Sequence, residues 1–383
     1  MKSNWTKVRL DECAEIVGGS TPSTSVKAYW DGDVCWATPK DLSELDGPYI
    51  SDTPRKLTRA GLESCAATIL PVGSVLFSSR APIGHVAVNT VPMATNQGFK
   101  SFVPKPERTN AKFLYWWLRV NRAYLERLGN GATFKEVSKS IVSRIEIPLP
   151  PLAEQRRIAE VLDRTEGLRA TRRAALAQLN SLTQSLFLDL FGDPISNPHN
   201  WPQENLETLF HFRTGKLDSN AAVASGQYPF FTCSREDFRI DTFAFDCEAL
   251  LLAGNNASAD YSVKHYKGKF NAYQRTYVIT LRDEHNSYDY AQFVLEHRLA
   301  ELKRISKGTS TKYLTMELLN RIRVPLPPTK LQREFARRVK AVEKLKTAHR
   351  ASLAELDTLF ACLQHRAFNG ELFDEKDRES QVA

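Results

Sequence analysis

The sequence predicts an α+β protein in which two duplicated globular domains of mixed strands and helices are each followed by one long helix. The first observation is a repeat, because residues 144–163 recur as residues 321–340 with nine of twenty aligned positions identical. The second is a set of short β-rich runs before each copy, broken by Gly, Asn and Pro. The third is a proline-free stretch with helical periodicity after each copy.

The repeat extends far beyond this segment and covers two whole domains. At the same offset of 177 residues, LAQLNSL from Leu176 becomes LAELDTL from Leu353, and Gln97 aligns with Gln274. At the start of each copy the offset is 196, since Trp5 and Leu10 match Trp201 and Leu206. A period this long excludes a solenoid of short repeats and indicates domain duplication.

These observations predict five consecutive regions. The two globular domains are 1–151 and 192–328, the two long helices are 152–191 and 329–370, and a polar C-terminal tail is 371–383.

The long helices begin at paired prolines. In the first copy Pro150 and Pro151 end a strand-like alternation and suit the first turn of a helix. The stretch 152–191 has no proline and only Gly167 as glycine, so as a helix it would be about 60 Å long.

A heptad seam is predicted on both helices, which favours their packing as a coiled coil. The predicted first seam is Ile158, Val161, Thr165, Leu168, Arg172, Ala175, Leu179, Leu182 and Leu186. The predicted second seam is Phe335, Arg338, Val342, Leu345, His349, Ser352, Leu356, Leu359 and Leu363. Arg172 and His349 occupy the same repeat position, and we expect these polar residues to fix the register of the pair.

Composition narrows the class of protein without identifying it. The 383 residues carry a net charge of +8, which mildly favours a polyanionic partner, and no apolar run is long enough for a membrane span. The N-terminus has no apolar leader, so we expect a cytoplasmic protein. Six scattered cysteines form no metal-binding pattern, and we expect reduced, mostly buried thiols.

We find no motif that supplies catalysis. The sequence lacks a nucleotide-binding glycine loop, a nucleophile elbow and a zinc-protease helix motif, and its eight histidines form no cluster in sequence. We therefore expect a chain without catalytic, cofactor-binding or metal-binding residues of its own.

Amide and basic side chains near turn signals are the candidates for contacts with DNA. Arg, Lys, Gln and Asn read base edges in a major groove, and loops of Gly, small hydroxyls and Lys suit the approach of backbone to phosphate. The candidates in the first copy are Lys40, Arg80, Asn96, Gln97, Gly131, Thr133 and Lys135. Those in the second are Lys216, Asn255, Asn256, Tyr273, Gln274, Arg275, Lys307, Gly308, Thr309, Ser310 and Lys312.

The chain resembles the specificity subunit of type I restriction-modification enzymes. Each copy opens with Trp-x(4)-Leu and closes with Ile-x-[Ile/Val]-Pro-Leu-Pro-Pro-x(3)-Gln-Arg before a long helix. The resemblance implies two target-recognition domains that each read one half of a split DNA sequence, and two long helices that pack antiparallel as a spacer. It also implies a non-catalytic subunit that carries two methyltransferase (modification) subunits binding S-adenosylmethionine, and through them ATP-dependent restriction subunits.

We therefore expect sequence-specific recognition of a bipartite, asymmetric target in double-stranded DNA, with the spacer helices setting the gap. The alternative is an assembly scaffold that binds only other subunits. A third reading, an enzyme acting alone on nucleic acid, is disfavoured by the missing motifs.

Overall fold

The computed structural model describes residues 5–80, 82–130, 135–236, 238–256, 261–308 and 312–373. It divides the chain into two units, each taking half of both long helices. The first unit is Met1–Thr171 with Ser352–Ala383, and the second is Arg172–Ala351.

The first unit contains ten strands and six short helices. The strands are β1 Thr6–Arg9, β2 Ala14–Gly18, β3 Trp30–Ala37, β4 Tyr49–Ile50, β5 Lys56–Leu57, β6 Val75–Phe77, β7 Val86–Asn89, β8 Met93–Thr95, β9 Lys100–Pro104 and β10 Glu146–Leu149. The helices are α1 Leu10–Cys13, α2 Pro39–Ser43, α3 Arg59–Glu63, α4 Ala111–Val120, α5 Arg122–Arg127 and α6 Lys139–Ser143. A five-stranded sheet has the order β2-β9-β6-β7-β4, and a three-stranded sheet the order β5-β3-β8.

The second unit is built around one larger sheet. Its strands are β11 Gln203–Asn205, β12 Phe210–Thr214, β13 Tyr228–Phe231, β14 Phe238–Ile240, β15 Phe245–Ala253, β16 Asn255–Asn256, β17 Val263–Ala272, β18 Thr276–Leu281, β19 Lys312–Tyr313 and β20 Arg323–Pro325. Six of them form a sheet in the order β12-β18-β15-β17-β13-β14. The short helices are α8 Leu206–Leu209, α9 Tyr288–Ile305 and α10 Met316–Leu319.

Each globular domain is closed by pairing its first strand with its last. β1 runs antiparallel to β10, with Val8 opposite Ile147, and β11 runs antiparallel to β20, with Glu204 opposite Val324. Because the last strand leads directly into a long helix, this pairing holds the beginning of the domain at the helix start.

A buried helix anchors each domain to its spacer segments. α4 begins at Asn110, whose side chain accepts a hydrogen bond from the Phe113 backbone N–H, and six consecutive residues from Phe113 are buried. α9 begins at Ser287 in the same way, with Tyr290 as the donor. Both helices pack within the main apolar core of their unit.

The two long helices are the same length. They are α7 Leu152–Phe191 and α11 Thr329–Phe368, each of 40 residues. Gly192 follows the first with φ of 73°, a left-handed conformation that glycine adopts without steric cost at a helix end.

The two helices run antiparallel within each unit. In the first unit Arg157 lies over the Phe373 ring, beyond the end of α11, while Arg169 pairs with Asp357. In the second unit Arg172 contacts His349, and the rings of Phe187 and Phe335 are 5.6 Å apart. As the residue number rises along α7, the number of its partner falls. The predicted α+β fold class, with duplicated domains and an antiparallel coiled coil, is confirmed.

Four of the eighteen predicted seam positions are wrong. Ile158, Thr165, Phe335 and Val342 are buried as expected, and the packed residues recur at spacings of four then three. The predicted seam residues that are instead exposed, by 44–53 %, are Leu168, Leu182, Leu345 and Leu359. The packed positions are the next residues along the chain, which are Arg169, Thr183, Lys346 and Phe360. Heptad spacing is compatible with both the predicted leucines and the residues that follow them. The leucines were predicted because three of the four packed residues are polar.

Two smaller expectations are also corrected. Only Cys13 and Cys35 are buried, and Cys362 is exposed, so the thiols are free but not mostly buried. The segment predicted as a polar tail contains Leu372 and Phe373, directly after Glu371, and both pack against the first core. None of the helices in the described ranges combines the length and apolar character that crossing a membrane needs.

Candidate DNA interface

In the first unit a glycine brings three loops together. A Cβ atom on Gly19 would lie 1.9 Å from the Asn96 carbonyl oxygen, so only glycine fits this approach. The Ser20 N–H donates to the Thr95 carbonyl at 2.9 Å, and the Asn96 N–H donates to the Ala37 carbonyl at 3.0 Å. The chain after β2, the start of α2 and the loop after β8 therefore meet.

A fourth loop joins this group through Glu136. The Asn130 and Glu136 backbones exchange hydrogen bonds of 3.0 and 2.9 Å, which holds these two residues together. Glu136 also forms a bridge with Arg80, and its carboxylate accepts from the Lys100 ammonium at 3.0 Å. Asn130 and Glu136, at the two ends of this fourth segment, therefore lie beside the other three loops.

The second unit repeats the close approach at the equivalent glycine. A Cβ atom on Gly215 would lie 1.6 Å from the Ala272 carbonyl oxygen. Leu217 bridges to Tyr273, and the Gln274 N–H donates to the Leu217 carbonyl at 2.9 Å. The Gln274 side-chain amide donates to Asp218 at 3.3 Å.

An equivalent backbone bridge is present in the second unit. The Lys307 and Tyr313 backbones exchange hydrogen bonds of 3.1 and 2.8 Å, and these residues are the repeat equivalents of Asn130 and Glu136. The strand pair β16–β19 places Asn255 opposite Tyr313 and Asn256 opposite Lys312. The Gly254 N–H donates to the Arg275 carbonyl at 2.8 Å, so the loop lies next to the Gln274–Arg275 turn.

The structure therefore brings the described candidates of each unit to one loop surface. The gathered residues are Lys40, Arg80, Asn96, Gln97 and Lys135 in the first unit, and Lys216, Asn255, Asn256, Tyr273, Gln274, Arg275, Lys307, Gly308 and Lys312 in the second. Gly131, Thr133, Thr309 and Ser310 lie outside the described residues.

Individual candidates differ in how free they are to contact a ligand. Gln97, Lys216 and Arg275 are exposed, whereas the Asn96 side-chain oxygen accepts from the Gly98 N–H at 2.9 Å and so shapes its own loop. Lys40 lies in the short helix α2, of five residues. Its ammonium is 3.6 Å from Glu44.

Acidic neighbours moderate the positive charge of both surfaces. The Arg80 guanidinium is 3.9 Å from the Glu136 carboxylate. In the second unit the Lys307 ammonium is 3.5 Å from Glu317, and Lys307 together with Arg321 holds the pKa of that carboxyl below its usual range. The two surfaces carry many hydrogen-bonding groups but little net positive charge. Such surfaces are better suited to contacts with base edges than to simple attraction to phosphate.

Several residues of the interface were missed from the sequence. Thr21 donates to the Gln97 side chain, and Asp218 orients Gln274. Arg55 stacks on Trp30, with its guanidinium carbon 3.7 Å from the ring centroid. Glu136 and Tyr313 share the repeat offset of 177, a signal that could have identified both loop closures.

Comparison with known proteins identifies the family. Residues 2–180 and 198–358 match the profile described as the type I restriction modification DNA specificity domain. The chain belongs to this family. Two copies of the specificity domain thus occupy most of the sequence, in agreement with the internal repeat.

Relatives of the specificity-domain family align over much of the chain. The MjaIX specificity subunit of Methanocaldococcus jannaschii is 27% identical over 87% of this chain and 85% of its own length. The EcoDI specificity subunit of Escherichia coli is 35% identical over 46% of this chain and 40% of its own length. These relatives are named specificity subunits, a non-catalytic role in type I systems, and this chain is likewise a specificity subunit rather than an enzyme.

Solved structures share the fold of this specificity-domain chain. The S subunit from M. genitalium has a TM-score of 0.64 at 16% identity, covering 95% of this chain and 96% of that one. A chain from a study of complex assembly and conformational transition in a type I system has a TM-score of 0.57 at 18% identity, covering 97% and 100%.

Proposed function

We propose that this specificity subunit reads two different half-sites in double-stranded DNA, one with the loop surface of each unit. The target is then bipartite and asymmetric. The chain supplies recognition only, and it positions methyltransferase and restriction subunits that perform the chemistry.

The observation that carries this proposal is the duplicated loop surface. Equivalent glycines and equivalent loop-closing bridges build the same platform twice, at Gly19 and Gly215 and at Asn130 and Lys307. A conserved platform with different side chains is what two readers of different sequences require. Gln97 and Gln274 are repeat equivalents, but Gly98 follows the first whereas Arg275 follows the second.

The chemistry of these side chains supports base recognition. An amide can donate to and accept from adenine, and a guanidinium can donate twice to guanine. Lys216 and Lys307, which flank the second platform, suit contacts with phosphate that set the position of the duplex.

The partners in this proposal are two methyltransferase subunits and, through them, restriction subunits. The names of the relatives and the subject of the assembly study support this extension. The duplication also offers two equivalent surfaces, which fits two copies of one partner. S-adenosylmethionine and ATP would bind to those partners, and the complex would act in the cytoplasm around chromosomal DNA, with the spacer helices setting the gap between half-sites.

The test is to express the chain with its modification subunit and to map methylated adenines genome-wide. We expect one split motif with a constant gap. Arg275→Ala should relax one position of one half-site only, at a cost of about 1–3 kcal/mol in discrimination. Gln97→Ala should relax the other half-site.

The control is Arg333→Ala, which removes an exposed guanidinium from α11, away from both loop surfaces. It should leave the motif intact. A motif unaffected by Arg275→Ala and Gln97→Ala, or methylation without sequence preference, would contradict the proposal and favour an assembly scaffold.

A further inference from the structure

The second unit contains an open cleft of about 710 Å³ between α7, α9 and α11. This volume lies within the range of small-molecule sites. Its lining includes the carboxylates of Asp289, Glu296 and Glu343, together with Phe293, His297 and Lys346. The cleft is separate from the loop surface described above, and its acidic lining disfavours DNA.

The first unit shows what fills the equivalent space there. The Trp116 and Phe360 rings meet edge to face with centroids 5.6 Å apart. The Arg169 guanidinium lies 4.4 Å from the Phe360 centroid, and that of Arg119 lies 5.3 Å from the Trp116 ring. Two rings and two cations of the chain itself thus close this position.

The repeat offset of 177 identifies the counterparts of these residues in the second unit. Phe293 replaces Trp116, Thr183 replaces Phe360, Lys346 replaces Arg169 and Glu296 replaces Arg119. One ring is lost, another is smaller, and one cation becomes an anion. The cleft is therefore a position from which aromatic volume and positive charge have been removed.

Two carboxylates in the cleft, Asp289 and Glu296, form no direct ion pair among the described residues. Glu343 is neutralised by Lys346 at 2.7 Å, and Lys346 is itself 94% buried. Across the described ranges, neither Asp289 nor Glu296 forms an ion pair, and Glu296 accepts only a neutral hydrogen bond from Gln292 at 2.9 Å. Burial raises the pKa of both carboxyl groups, although nearby basic residues, among them Lys340 for Asp289 and Lys346 for Glu296, act in the opposite direction.

His297 adds an independent sign of a missing donor. Its Nδ1 is 2.8 Å from the Phe293 carbonyl oxygen, which can only accept, so Nδ1 carries the hydrogen. In the tautomer with its hydrogen on Nδ1 alone, the Nε2 atom is an acceptor. Among the described residues this nitrogen is buried and has no hydrogen-bond partner. His297 lines the cleft, so this unsatisfied nitrogen belongs to the cleft wall.

We propose that this cleft binds a linear polyamine. Asp289 and Glu296 lie seven residues apart on α9, which separates them by about 10 Å along the helix axis. Two protonated amines joined by a methylene chain match two carboxylates at that separation better than a single point charge does. The Phe293 ring, four residues after Asp289, offers the intervening methylenes an apolar surface.

The test is isothermal titration of the full chain with spermidine and with butylamine. We expect saturable binding of spermidine at one site and binding of the monoamine weaker by about tenfold or more. Thr183→Phe with Glu296→Arg copies Phe360 and Arg119 of the first unit, should fill the cleft and should abolish spermidine binding. Glu296→Gln, nearly isosteric, should weaken binding about tenfold and serves if the filling variant does not fold.

The matched control is Glu284→Arg, which makes the same charge change at an exposed position of the same unit outside the cleft. It should bind spermidine as the natural chain does. The proposal is overturned if spermidine does not bind, if Glu284→Arg weakens binding as much as Glu296→Gln, or if the monoamine binds equally well. A complex that contains the Glu296→Gln variant should methylate the mapped motif as the natural complex does. This unchanged methylation separates polyamine binding from DNA recognition.

Discussion

Two buried glutamines explain why the repeat retains this residue type after its paired prolines. Gln155 accepts from the Asn110 N–H and donates to the Pro150 carbonyl, both at 2.8 Å. Gln332 accepts from the Ser287 N–H and donates to the Pro327 carbonyl, both at 3.0 Å. Each glutamine ties the start of a long helix to the N-terminus of the helix that anchors the domain.

We expect Gln155→Ala to lower the free energy of unfolding by about 1–3 kcal/mol, because it leaves buried backbone groups without partners. The measurement is urea unfolding followed by circular dichroism. Gln178→Ala changes an exposed residue of the same helix and should stay within about 0.5 kcal/mol. Equal effects of the two substitutions would show that the buried contacts contribute nothing specific.

Arg172 and His349 form a polar contact in the seam, with NH1 and Nδ1 3.2 Å apart. Their role in register stays a prediction. Replacing both by Leu should not lower the thermal midpoint, since apolar seam residues pack well, but should make assembly with the modification subunit heterogeneous. Native mass spectrometry measures this outcome, and a single homogeneous complex would dismiss the role.

The anchoring helices contact their spacer segments through a pair of charges that is reversed between the units. Lys112 on α4 lies 2.9 Å from Asp163 on α7. At the equivalent positions the second unit has Asp289 on α9 and Lys340 on α11, and the charge of Lys340 acts on Asp289. If the two domains exchanged spacer segments, Lys112 would therefore face Lys340, and Asp289 would face Asp163.

Lys112→Asp should lower the thermal midpoint, because it opposes two carboxylates in a partly buried setting, at a cost of about 1–3 kcal/mol. Adding Asp163→Lys copies the polarity of the second unit and should recover part of the loss. Full recovery is not expected, since Asp163 also accepts from the Trp116 indole at 2.8 Å. A double variant no more stable than Lys112→Asp would refute the pairing role.

The two duplicated domains differ in charge. Residues 1–151 carry a net charge of +5, whereas residues 192–328 are neutral. Since the phosphate backbone dominates the salt dependence of binding, the first domain should release more counterions on binding DNA. The two domains therefore share the same loop arrangement but differ in net charge.

We expect a steeper fall of affinity with salt for duplexes that retain only the half-site read by the first unit. Fluorescence anisotropy at several salt concentrations measures the slope of log K against log salt. The assignment of half-sites comes from Gln97→Ala and Arg275→Ala. Equal slopes would mean that net charge does not govern the contribution of either domain.

Much of the architecture follows from local patterns that need no tertiary information. The repeat identified two domains, and the prolines at 150 and 151 placed the start of the first long helix at residue 152, where the helix is observed to begin. The candidate loops also followed from turn signals. Four seam positions did not, because the heptad spacing is also compatible with the next residue along the chain, and three of the four residues packed there are polar.

The amino-acid order alone was enough to establish the duplication, the long helices and the resemblance to DNA-specificity subunits, because these depend on periodicity and identity along the chain. Tertiary packing decided which leucines are exposed, how three loops converge at Gly19 and which space stays open beside Phe293. Those features depend on atoms distant in sequence. The cleft in particular arises because Thr183 and Phe293 are too small to fill a position that Phe360 and Trp116 close in the other unit.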